Sequence, residues 1–201
     1  MWYVSSSETI VSPLLKNVIV EGVAEHFVIK ANEPWVEDSY VFTVPKPFTA
    51  KKISYTRYFN NGTGHGSSSG WETIVLPFSP VSFTHETKGI LAPFYSEVEG
   101  AKPFWLRKLT DAGFEDVTTM EPHVPYIIAM PNHDRYFEEY RLNGWVTFEG
   151  ENVEISSETL KPDAVSGSSF MLQPTYEPVK QSVKRKGCAI CTSFSFGVNN
   201  V

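Results

Sequence analysis

Few residues of this chain are spaced to do covalent chemistry. Cys188 and Cys191 stand in CAICTSFSF as a CxxC pair, which invites a zinc or redox reading. A zinc site needs a second pair of ligands, and the chain has no other cysteine. A redox pair sits at a helix start, where the dipole lowers the thiol pKa. Here Ile190, Thr192, Phe194 and Phe196 alternate as on a strand, where positions three apart face opposite sides. Two small buried thiols are therefore expected, with a disulfide or a metal or redox pair as the alternatives. The histidines, His26, His65, His85, His123 and His133, show no ligand spacing. His85-Glu86 opens like HExxH, but Gly89 occupies the second histidine's place and FTHETKG reads as a turn. No metal and no cofactor is expected.

Other catalytic patterns fail on similar grounds. The loop NNGTGHGSSSG (60–70) lacks the Lys-Ser/Thr ending of a phosphate loop and the carboxylates of a calcium loop. Within it, Asn61-Gly62-Thr63 matches an N-glycosylation acceptor. Acids occur as near neighbours, such as Glu37-Asp38, Glu97 and Glu99, Glu115-Asp116 and Glu138-Glu139. A glycosidase instead needs two acids facing each other across a cleft. No GxSxG elbow exists, so no catalytic residue is singled out.

Aromatic side chains are the one functional class in excess, at 14% of the chain. Exposed Trp and Tyr rings make flat platforms for sugars, with large apolar area and little rotamer entropy to lose. Trp35, Trp105, Tyr136 and Tyr140 lie in polar or irregular contexts and are the candidate ligand contacts. Trp71 and Trp145 begin apolar runs and are expected in the core.

The elements that must carry these rings read as strands. Period-two runs recur along the chain: NVIVEGV (17–23), HFVIKA (26–31), DSYVFTV (38–44) and KKISYTRYF (51–59). GWETIVLPFSP (70–80) follows, apolar on both faces after Glu72, which predicts a central strand. Further strands are expected at 89–94, 103–109, 114–119, 126–130, 144–149, 152–155, 169–172 and 188–196. Only DRYFEEY (134–140) looks helical. The fold class is all-β: an antiparallel β-sandwich, or partly open barrel, with at most one short helix. One domain over 1–201 is expected, or a piece of a larger exported protein.

Charge narrows the partners. The net charge is −6 over 201 residues, which repels phosphate backbones, so no nucleic acid is expected. The basic run KQSVKRK (180–186) reads as a solvated strand end or hairpin. No apolar run approaches the roughly 18 residues of a membrane span. The first residues lack the basic and apolar regions of a signal peptide.

Several of these segments together resemble a module of exported and cell-surface proteins of gut Bacteroidetes, of leucine-rich-repeat or adhesin type. The resemblance covers roughly residues 10–175. It is carried by FTAKKISYTR, GWETIVLPF, VPYII and GWVTFEG, at 48–57, 70–78, 124–128 and 144–150. Two departures are His123-Val124, where the family pattern has Asn before Pro-Tyr, and the carboxyl end, whose last strand is altered or missing. The resemblance implies a secreted or cell-surface location and repeat modules elsewhere in the parent protein. With the aromatic content, it implies a non-catalytic module for adhesion, taking a glycan or a host surface protein. A structural spacer or capping domain without a ligand, and a polysaccharide hydrolase, are the alternatives.

Overall fold

The computed structural model describes residues 1–5, 15–29, 42–63, 70–158, 164–167, 171–172 and 176. Regular structure there is strand throughout, apart from one 3-10 turn at Glu138–Tyr140. The all-β expectation holds.

The axis of the fold is an antiparallel pair of twelve-residue strands, β4 (Phe48–Phe59) and β11 (Gly144–Ile155). Their register runs from Phe48 opposite Ile155 to Phe59 opposite Gly144. On one side of β4 lies β3 (Val23–Ile29), then β2 (Val18–Val20) and β1 (Trp2–Val4). Beyond β11 come β6 (Ser82–His85), β7 (Gly89–Pro93), β8 (Lys102–Thr110), β10 (Tyr126–Ala129) and β5 (Glu72–Ile74). A branch strand, β9 (Gly113–Asp116), pairs with β8. A separate ribbon joins β12 (Val165–Ser166) to β13 (Met171–Leu172). The sheet is mixed: β1–β2, β3–β4 and β7–β8 are parallel pairs.

The interior is largely aromatic. Phe83 meets Phe104 at 5.1 Å and Phe148 at 5.5 Å, and Tyr55 meets Phe148 at 5.9 Å between ring centroids. Such tilted and edge-on pairs suit the ring quadrupole. Much of the aromatic excess is therefore core.

Three adjacent strands change their inward-facing set at one level. In β4 the buried alternation runs Phe48 and Ala50, then Ile53, Tyr55, Arg57 and Phe59, with Ser54 buried as well. In β3 they pass from Ala24 to Phe27 and Ile29. In β11 they pass from Val146 and Phe148 to Ile155, across Asn152 at φ 53. Lys51 and Lys52 fill the changeover in β4, both exposed.

The far end of the sheet curls back onto this axis. Arg57 of β4 donates through Nη1 to the Thr73 carbonyl of β5 at 2.7 Å, and through Nη2 to the Glu72 carboxylate. Among the described residues, β5 thus meets β4 through side chains rather than through a ladder. Phe78, just past β5, packs on Gly150 of β11, where an added Cβ would lie 2.6 Å from the ring.

Several expectations need correction. GWETIVLPFSP is buried on both faces, with Ile74, Val75, Leu76 and Phe78 all fully enclosed. Its strand, however, is the last of the sheet path and pairs with β10 alone among the described residues. The curl of the sheet covers it, not a central position. NVIVEGV is two strands, because Glu21 (φ 48) and Gly22 (φ 80) make a two-residue hairpin turn. Residues 42–44 are not strand, and 38–41 lie outside the described residues. The runs 144–149 and 152–155 are one strand. FTHETKG holds β6 before its turn. DRYFEEY forms only the 3-10 turn. Cys188 and Cys191, the 188–196 run and 180–186 lie outside the described residues.

Candidate functional site

Strand β8 builds the candidate site from its alternation. Phe104 and Leu106 point into the core, so Trp105 and Arg107 point out. The parallel pairing sets Pro93 of β7 beside Phe104, which brings the next residue, Phe94, alongside Trp105. The two rings lie 6.5 Å apart and nearly parallel, at 15°. Tyr95 stands edge-on to Phe94 at 4.9 Å, and Tyr136 approaches Trp105 at 6.2 Å. Tyr95, Phe94, Trp105 and Tyr136 form a continuous aromatic row. Tyr95 is 74% exposed and Phe94 39%, while Trp105 and Tyr136 are half-buried. Next along the face, the Arg107 guanidinium lies over Trp71 at 4.8 Å. That contact adds cation–π attraction to the rim.

Tyr136 comes from an irregular segment, 131–143, that polar contacts hold. Arg141 donates Nε to the Tyr136 carbonyl and Nη2 to the Asp134 carbonyl, both at 3.0 Å. The Leu142 amide bonds the Pro131 carbonyl at 2.7 Å. Lys88 Nζ reaches the Glu138 carbonyl at 3.1 Å. His85 anchors the end of the segment. Its Nδ1 accepts the Thr87 and Lys88 amides at 3.1 and 3.2 Å, so Nε2 carries the proton toward the Asn143 carbonyl. Burial pushes its pKa below 6.5, outweighing the Asn143 carbonyl and Glu86, which favour the cation; Lys88 and Lys102 lower it further.

Of the four aromatic candidates, Trp105 and Tyr136 come together. Tyr140 is 39% exposed on the 3-10 turn but makes no ring contact with the row among the described residues. Trp35 lies outside the described residues. Trp71 and Trp145 are half-buried on outward positions, Trp145 edge-on to Tyr58 at 5.2 Å, and not in the core. Phe94 and Tyr95 went unmarked in the sequence. An aromatic doublet ahead of the polar stretch SEVEG was the available signal.

Several of the remaining chemical candidates among the described residues have structural partners. The Thr63 hydroxyl donates to the Met130 carbonyl and accepts the Asn132 amide, and Asn61 donates to Glu72. His123 meets the Tyr176 hydroxyl at 3.0 Å, and burial pushes that phenol's pKa up. His26 lies 3.2 Å from the Ser54 hydroxyl. No group of three or more His, Cys, Asp or Glu side chains is placed for a metal among the described residues. No helix there is long and apolar enough to cross a membrane.

Comparisons with protein-family models, with curated proteins and with solved structures gave no match. The resemblance to the Bacteroidetes surface module rests on the sequence motifs alone.

Proposed function

We propose that this chain is a non-catalytic binding module of a secreted or cell-surface protein, and that it takes a glycan on the aromatic row of the β7–β8 face. The observation that carries this reading is the row itself. Tyr95, Phe94, Trp105 and Tyr136 make successive ring contacts while keeping accessible faces. Pyranose rings present flat C–H faces, and such rings receive them with little entropy lost. A surface that rich in rings is uncommon without a ligand or partner. The motif resemblance supports the location.

A glycan array followed by titration calorimetry tests the proposal. A hit is expected whose affinity falls about 5–30-fold in Trp105→Ala, for the loss of roughly 1–2 kcal/mol of ring contact. The Tyr136→Ala variant should lose less. An array without a hit, or a hit indifferent to both substitutions, overturns it.

A further inference from the structure

Beside the aromatic row, the chain runs from β7 to the parallel strand β8 in only the eight residues 94–101. This arch leaves an open depression of about 230 Å³ against the outer face of the sheet. Ala92, Val98, Ala101 and Pro103 contribute apolar side chains to its walls, and Tyr95 and Ser96 bring the two hydroxyl-bearing side chains of its lining. No charged side chain lines it. Glu97 and Glu99, both exposed, stand on the same arch.

The arch is held in a costly shape. Tyr95 has φ 73, a left-handed conformation that a bulky residue rarely adopts and that costs on the order of 1–3 kcal/mol. It displays a ring 74% exposed, so burial of that ring does not offset the strain. Short bonds hold the arch in place: the Phe94 amide to the Phe104 carbonyl at 2.7 Å and the Ser96 amide to the Pro93 carbonyl at 3.0 Å. Strain of this kind concentrates where a side chain is presented to a ligand.

We infer that this depression is a subsite for the acetamido group of a neutral N-acetylated sugar stacked on the row. The inference rests on the glycan reading and names the class of sugar. A plain hexose would bring only hydroxyls to the hollow, with no methyl to cover Ala92, Val98 and Ala101. An acetamido group puts a methyl there, with one amide for the Ser96 hydroxyl. A uronate or sialic acid would bring a carboxylate into an uncharged hollow beside Glu97 and Glu99, which repel it.

The test compares triacetylchitotriose with cellotriose by calorimetry, on the wild-type chain, Val98→Asp and Ala101→Asp. Those two positions border the hollow on an exposed and a half-exposed residue, so two independent variants guard against a failure to fold. Triacetylchitotriose should bind about tenfold or more tighter, the discrimination a single methyl-sized group supplies in an apolar pocket. Both variants should erase that preference. Equal binding of the two sugars overturns the subsite and leaves the glycan reading standing. A preference that survives both substitutions overturns it too, since the acetamido group is then read elsewhere. If no sugar on the array binds, both readings fall together.

Discussion

At the residue scale, one buried ion pair carries the greatest consequence. Arg57 and Glu72 each keep about 10% of their side chain exposed, and Arg57 lies 5.2 Å over the Phe59 ring. Removing one partner of a buried pair strands the other charge, at about 3–5 kcal/mol, whereas replacing both by apolar groups is often neutral. Arg57→Ala should therefore lower stability to urea by about 3–5 kcal/mol, and Arg57→Met with Glu72→Leu should recover most of it. A double variant no better than the single would refute that account. Gly144 is the second such position. It starts β11 at φ 138, and an added Cβ would meet Glu86 Oε1 and lie 3.1 Å from His85 Nε2. Gly144→Ala should cost about 1–3 kcal/mol, read as a lowered melting temperature. The aromatic site was half legible at this scale. Trp105 and Tyr136 stand out by residue type, but Phe94 joins them only through the parallel β7–β8 pairing, a long-range contact that composition does not carry.

At the element scale, the turn 86–88 and the segment 131–143 depend on a neutral His85. A histidine whose folded pKa is depressed contributes stability that is complete above its unfolded value. That stability is lost as pH falls through the folded value. His85 and His26 are both lowered from 6.5, so the window opens at about pH 6.5 and extends downward. Protonating Nδ1 of His85 removes the acceptor of two amides and loosens the turn whose Lys88 grips Glu138. The melting temperature should fall between pH 7 and 5, and amides of 131–143 should exchange faster with deuterium over the same range. His85→Asn should be less stable at pH 7 but show a shallower pH slope; an unchanged slope would assign the effect elsewhere. Element types were mostly legible, because alternation survives in β4, β8, β10 and β11. What escaped was the crossover at Lys51, Lys52 and Asn152, since a one-residue change of facing looks like an interruption in a period-two pattern. That is why β11 read as two strands. The helix reading of 134–140 failed for a different reason: an acid-rich amphipathic run was taken up by Arg141 bonding to carbonyls, leaving one 3-10 turn.

At the scale of the whole molecule, the arrangement of strands was the least legible property. Burial of GWETIVLPFSP on both faces is real, but a strand is enclosed either by a central place or by a sheet that curls over it. Local pattern does not separate the two. The curl is built from contacts between segments far apart in sequence, such as Phe78 on Gly150. Gly150→Ala should therefore act globally, pushing the ring and unsettling β5 against β11, at about 1–3 kcal/mol. A loss confined to β11 amides in hydrogen exchange would argue against this coupling.

The bond from Arg57 to the Thr73 carbonyl has a colloidal consequence. A terminal strand offers unpaired backbone groups that recruit another chain, and proteins protect such edges by covering them. Among the described residues, part of that cover is the Arg57 guanidinium on the Thr73 carbonyl, held over β5 by its own carboxylate partner. Arg57→Met with Glu72→Leu, although folded, should strip this donor from the Thr73 carbonyl, weaken the cover of the edge and form higher oligomers as concentration rises. Size-exclusion chromatography across a dilution series would show it, with the parent chain unchanged over the same range.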